Sequence, residues 1–250
     1  MRAIWTIAKR EVLSFFVLPI AYVVLTVWLL YFGVVFSILA DFFSAQPGAG
    51  RGGGLMGFFF GGTMLFYLPL LVFAPVLTMR LFAEEKASGT LEPLMTAPVG
   101  EWSIVLGKYL AALIFWCALW APTLMYFWIV AGLGNDTVDF GMMGTVYLGL
   151  LAAGVLYMSI GLLMSAVSRS QIGAALLTFM TLGALFLVGI QSYTLQDDAA
   201  RQLCEYLGVW SQLGTFAKGI IDTRFLVLDG SIAAFAIFMT VRLLQAQRWQ

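Results

Sequence analysis

Ionisable residues divide the chain into long uncharged runs. Val12–Ala40 lies between Glu11 and Asp41, Gly52–Met79 between Arg51 and Arg80, and Tyr109–Asn135 between Lys108 and Asp136. Phe140–Ser168 follows between Asp139 and Arg169, and Ser170–Gln196 between Arg169 and Asp197. A sixth, Phe225–Val241, is interrupted only by Asp229 near its start and ends at Arg242. A bilayer crossing needs about 20 largely apolar residues, and mid-membrane charge is costly enough to mark where crossings end. Stretches such as Leu148–Tyr157 and Phe179–Ile190 show none of the apolar–polar alternation of barrel strands. The pattern predicts an all-α integral membrane protein, a single transmembrane domain over 1–250 with spans at 14–40, 60–80, 109–133, 142–167, 171–192 and 225–243. Pro19, Pro69, Pro75 and Pro122 fall inside these spans, where membrane helices accommodate them as packing kinks.

Ahead of the first span, Ile4, Ile7, Ala8, Val12 and Phe15 recur at helical spacing, with Arg2, Lys9 and Arg10 largely off that stripe. This predicts an amphipathic helix over 1–13 lying in the membrane interface, its cations near anionic headgroups. The apolar run behind it is about twice the length of a signal-peptide core, so it is expected to remain as an anchor.

Six spans put both termini on one side, with Arg2, Lys9, Arg10, Arg80, Lys86, Lys108, Arg169, Arg242 and Arg248; the other side holds Arg51, Arg201, Lys218 and Arg224. The positive-inside rule then makes the termini and the 81–108 loop cytoplasmic. Composition fits lipid as solvent: 62% of residues are apolar and 10% charged, against about 45–50% and about 25% in soluble domains. The 13 basic and 13 acidic residues cancel, which argues against a nucleic-acid partner. By side, however, the balance is +4 inside, where the acids are Glu11, Glu84, Glu85, Glu92 and Glu101, and −4 outside. No histidine is present, which removes Ser-His-Asp triads, HExxH zinc sites and histidine proton relays.

Two loops carry information. In the first outer loop, Gly48–Gly53 fits G-x-G-x-x-G, but it follows a membrane span rather than a strand, so it reads as a flexible loop. Gly57 and Gly61 fit a small-xxx-small helix contact, a spacing that 26 glycines make common. The 81–108 loop is the most polar inner segment, with Glu84, Glu85, Lys86, Ser88, Gly89, Thr90 and Glu92 followed by Pro93 and Pro98. It predicts a short charged helix, a break at Gly89, a second short helix and a proline-marked return. Glu84 and Glu85 do not form a catalytic or metal dyad, because adjacent helical residues do not face each other. The segment is either a solvated turn or a docking surface.

The string from Arg80 to Val99, with its E-E-K-x-x-G-T-L-E run and T-A-P turn, followed by Leu106-Gly107-Lys108, closely resembles the signature of ABC-2 transporter permeases. A second string, Phe216-Ala217-Lys218-Gly219-Ile220-Ile221-Asp222-Thr223-Arg224, is similar to an element of the gliding-motility-associated branch. The resemblance implies an all-α, six-helix half-transporter of the ABC-2 (type V exporter) kind in the bacterial inner membrane. It would pair with a second copy or a paralogous permease. Arg80, Glu84, Glu85, Lys86, Ser88, Gly89, Thr90 and Glu92 would dock a separate ABC ATPase subunit, which holds the ATP and magnesium, so no cofactor is expected in this chain. Phe216, Gly219, Asp222 and Arg224 would form the outer motif. The 197–224 segment would make two short re-entrant helices, with Leu203, Leu207, Trp210, Leu213, Ala217 and Ile220 as an apolar stripe and Gly208 and Gly214 as breaks. Pro93 departs from the family's usual helix-forming residue there.

The chain has no ATP-binding loop of its own: the nearest string, Gly100 to Gly107-Lys108-Tyr109, has the wrong spacing and Tyr for Ser/Thr. Cys117 reads as a small packing residue, too far in depth from Cys204 for a disulfide. Trp102, Trp116, Trp120, Tyr126 and Trp128 read as interface anchors or lipid-facing residues. The competing expectation is an ion-coupled carrier or channel without an ATPase. Such proteins place ionisable groups at mid-depth, and Asp229 is the sole candidate. Apolar spans with 21 Phe would suit lipid-linked, peptide or polymer cargo, or would merely face lipid.

Overall fold

A computed structural model describes residues 2–17, 19–45, 54–90, 99–132, 140–192, 194–195 and 197–248. Glu92, Pro93, Pro98, Arg51, Asp136, Asp139 and the Gly48–Gly53 string lie outside these residues. Among the described residues the chain is all-helical. The elements are α1 (Arg2–Val17), α2 (Pro19–Ala45), α3 (Gly54–Gly57) running into a π-helical turn (Phe58–Gly62), α4 (Met64–Thr78) and α5 (Ala83–Ala87). Then come α6 (Glu101–Trp120), a 3-10 turn (Ala121–Thr123), α7 (Leu124–Gly132), α8 (Phe140–Val167) and α9 (Gln171–Gln191). α10 (Asp198–Leu207), α11 (Val209–Phe216) and α12 (Thr223–Arg248) complete it. Five elements are long and apolar enough to cross a membrane; a sixth is the pair 54–62 and 64–78, bent by 48°. The protein is a multi-pass membrane protein.

Several boundaries differ from the sequence expectation. α1 continues to Val17, beyond 13, and Pro19 heads α2 rather than kinking a span begun at 14, because proline is favoured in a first turn where its missing N–H has no partner anyway. α6 starts at Glu101, well before 109. Pro122 sits in the 3-10 turn joining α6 to α7, whereas Pro69 and Pro75 are inside α4.

α8 is the central post, packing against α4, α6, α9, α11 and α12. Its glycines let neighbours press onto its backbone: a Cβ at Gly154 would lie 2.4 Å from the Trp116 indole, and one at Gly161 2.1 Å from Thr78 Oγ1. In lipid, where apolar transfer does not favour helix association, such close backbone approach carries the packing. Trp116 and Trp120 are therefore not interface anchors. Both are buried in an aromatic core with Trp28, Phe32 and Phe66, and the Trp116 indole donates to the Leu150 carbonyl at 3.0 Å. Trp102 and Trp128 are exposed, and so is Cys117, which faces outward instead of filling the core.

The stripe on α1 also finds a different partner. Ala8 is fully buried and Ile7 meets α6 at Gly107, so this face packs on protein, while Trp5, Leu13 and Val17 form the exposed apolar face. At the opposite end α10 and α11 break at Gly208, but Gly214 lies inside α11. Gly214 lies against Gly61, where a Cβ on Gly61 would come within 3.0 Å of the Gly214 Cα. The expected stripe is split, since Leu213 and Ala217 are buried whereas Leu203 and Ile220 are exposed.

Candidate functional site

The 81–90 segment folds against the bundle end that carries α1. Arg80 grips Glu84 with two bonds, Nε to Oε2 at 2.7 Å and Nη2 to Oε1 at 2.9 Å. α5 is too short to be stable alone, and its N-terminus is satisfied from elsewhere in the chain. The Ser165 hydroxyl of α8 accepts from the backbone N–H groups of Phe82 (3.0 Å) and Ala83 (3.1 Å) and donates to the Met79 carbonyl at 3.2 Å. The Lys86 ammonium donates to the Ala166 carbonyl on the same helix. The C-terminus closes on Gly89, whose φ of +70° suits glycine. Thr90 N–H reaches the Glu85 carbonyl (3.0 Å) and Gly89 N–H that of Lys86 (3.4 Å), the paired bonds of a Schellman motif.

Ser165→Ala should orphan two buried N–H groups and destabilise this end by about 1–3 kcal/mol. Hydrogen exchange at Phe82 and Ala83 would report it, and unchanged protection there would refute the capping role.

Glu85 points the other way. Its Oε1 accepts from Lys108 at 2.7 Å, and Lys108 also donates to Glu11 on α1 at 3.1 Å. Lys108 is 1% exposed and lies 5.3 Å from the centre of the Phe82 ring. Burial pushes the Glu85 carboxyl above its ordinary value; Lys108 opposes this without cancelling it, and Glu85 Oε2 is left without a hydrogen bond. The Arg80 hydrogen bond instead holds Glu84 below its ordinary value. Burial, with Arg169 nearby, lowers Lys86. One ammonium thus joins α1, α5 and α6, while Ser165 and Ala166 join α5 to α8. A push on α5 would be felt by α1, α6 and α8. Ser88, Gly89 and Thr90 are left exposed. They lie beside a cleft of about 520 Å³ whose far wall includes Arg10, Glu11 and Ser14.

Of the residues expected to act together, Arg80, Glu84, Glu85, Lys86, Ser88, Gly89 and Thr90 are contiguous here, but they divide by role. Glu85 and Lys86 face inward and hold the segment, and the 88–90 turn faces out. Glu85 is not part of a solvated turn. Sequence reasoning gave Ser165 no role, and it placed Glu11 and Lys108 only as boundary charges of the apolar runs and as inner charges, with Lys108 also in a motif string. A lone cation at the mouth of an apolar run was the available signal for Lys108. Nothing local marked Ser165.

The outer motif has a conformational role. Gly219, at φ +80°, ends the α11 segment with the same paired bonds, Gly219 N–H to Phe216 (3.0 Å) and Ile220 N–H to Thr215 (3.3 Å). Asp222 Oδ1 then accepts from Arg224 N–H at 2.9 Å, capping α12. Phe216 is buried against Gly149, and its carbonyl accepts from Thr145 at 2.8 Å. The Arg224 side chain is exposed.

Residues 15–202 match the family model described as ABC-2 family transporter protein. No curated protein gives a significant match. The matched region runs from the end of α1 into α10 and includes Arg80, the whole of α5, Lys108 and Ser165. With three-quarters of the chain matched and an all-helical membrane bundle around that cluster, this protein belongs to the ABC-2 transporter family.

Proposed function

We propose that this chain is the permease subunit of an ATP-driven exporter in the bacterial inner membrane, paired with a second copy or a paralogous permease. Both termini and the α5 end are cytoplasmic, as the excess of cations there favours. A separate ABC ATPase docks on the 84–90 segment, and ATP-driven closure of the ATPase pair moves α5. The first, second and fifth spans then open or shut a path between the two permeases. Membership of the gliding-motility-associated branch is the finer reading, supported by the Phe216–Arg224 string.

The observation that carries this proposal is the construction of α5. A five-residue helix is clamped at its N-terminus, its side and Lys86, while its C-terminal turn lies open beside a cleft. Such a segment transmits force rather than performing chemistry. Gly89→Pro tests it. Proline requires φ near −65° and has no N–H, so it removes both the +70° turn and the bond to Lys86. With ATPase co-expressed and the complex purified in mild detergent, recovery of ATPase should fall on the order of tenfold, the effect of losing about 1.4 kcal/mol of binding. The thermal transition of the permease should be retained. Full recovery of ATPase with Gly89→Pro would overturn the docking assignment.

A further inference from the structure

The last span holds a buried carboxyl that the docking reading does not use. On α12 the buried positions Phe225, Asp229, Ala233, Ala236, Thr240 and Leu244 form one stripe facing α8. Asp229 is 1% exposed, and neither of its oxygens receives a hydrogen bond. It lies six residues into α12, roughly 9 Å from the helix start at 1.5 Å per residue. That is past the first turn, where the helix dipole favours an anion.

Among the described residues its surroundings offer no counter-charge. Tyr157 faces it from α8. Gln212 comes close from α11; one N–H of its amide donates to the Tyr206 carbonyl at 3.3 Å, and the other is turned to the carboxyl as a neutral dipole that supplies no charge. α6 also packs on α12, but its charged residues, Glu101 and Lys108, are in its first turns at the end joined to α1 and α5. On α12 itself Arg224 is exposed, and Arg242 lies over the Phe238 ring further along. Among the described residues no ion pair involves Asp229, and no cluster of three potential metal ligands forms. A hard metal ion would need about six oxygen ligands, and the helical carbonyls here are occupied within their own helices. An unpaired carboxylate in such a place is costly enough that the group takes up a proton instead.

We propose that Asp229 is a proton-binding site of the bundle, loaded as the neutral carboxylic acid at pH 7 while α11 is packed against it. Gln212 belongs to the outer helical hairpin, so movement of that hairpin away from α12 admits water and releases the proton. The hairpin's position and the protonation of Asp229 are thereby coupled. This inference does not depend on ATPase docking, and it is tested on the permease alone.

The experiment is infrared spectroscopy of the purified chain in lipid nanodiscs. At pH 7 the wild type should show a carboxylic-acid C=O absorption that Asp229→Asn abolishes and Asp198→Asn, at an exposed helix start, leaves intact. Asp229→Glu should keep the absorption at a shifted frequency, which covers the case in which the Asn variant does not fold. A wild type with no such absorption, or an absorption unaltered in both Asp229 variants, overturns the proposal. So does a carboxylate band at Asp229 that responds to added sodium or calcium, which would identify a bound cation.

Discussion

Lys108→Met should lower the stability of the permease by about 3–5 kcal/mol, the loss seen when one member of a buried ion pair is removed. Methionine fills much of the lysine volume, so packing against Phe82 survives and the effect isolates the charge. What remains is two carboxylates, Glu11 and Glu85, from which the Lys108 ammonium has gone; Glu11 keeps the exposed Arg10 at 3.2 Å, and Glu85 loses its hydrogen-bonded cation. Removing the acids as well, in Glu11→Gln/Glu85→Gln/Lys108→Met, should recover most of the loss, because an apolar or neutral replacement of a whole buried cluster is often tolerated. Chemical unfolding in detergent measures both. A loss below about 1 kcal/mol, the range of exposed pairs, would show that Lys108 is not the joint between α1, α5 and α6.

The same cluster sets the sign of a pH dependence. Glu85 is raised in the folded chain, so folding favours its protonated form, and its contribution declines as pH rises from the ordinary carboxylate range through the folded value. Glu84 is lowered, so its contribution is present above the ordinary range and lost as pH falls through its folded value. Lys108→Met removes the charge that restrains Glu85, so the variant should gain stability on acidification more steeply than the wild type. Equal slopes would separate Glu85 from Lys108.

The second large effect is expected from Gly161→Ala. Glycine to alanine within a helix ordinarily gains roughly 0.5–1 kcal/mol. At Gly161 the new methyl would sit 2.1 Å from Thr78 Oγ1 and 2.5 Å from Thr78 Cβ. Thr78 is fully buried and its hydroxyl donates to the Ala74 carbonyl at 2.9 Å, so it has little room to turn away. Overpacking of this kind costs about 1–3 kcal/mol, enough to reverse the propensity gain. Gly183→Ala on α9, where nothing lies within 4 Å of the new Cβ, should show the gain alone. Thr78→Gly should restore Gly161→Ala by clearing the methyl's place. Thermal unfolding of the four chains decides it, and a stabilised Gly161→Ala single variant would mean that α4 and α8 can separate freely. The crossing lies just before Arg80 and α5, so a displacement here should also reach the 84–90 segment.

Much of this chain was legible without tertiary structure, and the reason is the solvent. Excluding charge from a lipid interior is a local constraint, so uncharged runs mark helices that cross the membrane wherever the chain folds. Helix punctuation is local at Gly89, whose φ of +70° suits glycine; Gly208 between the outer helices has an ordinary φ of −77° and is instead pressed against Gly189, where a Cβ would meet the Gly189 Cα at 2.7 Å. The misread positions are those whose environment depends on a distant segment. Trp116 and Trp120 match an interfacial anchor in composition, but Gly154 opens a slot for one of them and Trp28 and Phe66 surround the other. The stripe on α1 is equally apolar whether it faces lipid or α6.

By itself, then, the sequence determined a helical membrane protein, its approximate crossings and the polarity of its longest loop. Only the tertiary structure decided which charges meet. Lys108 is 97 residues from Glu11 and 23 from Glu85, and Ser165 caps a helix more than 80 residues away. A carboxylate's energy in a low-dielectric interior depends on which charge the fold brings within hydrogen-bond reach. Glu84 and Glu85, adjacent in the chain, are for that reason shifted in opposite directions, and Asp229, at the edge of an apolar run, is buried without a counter-charge.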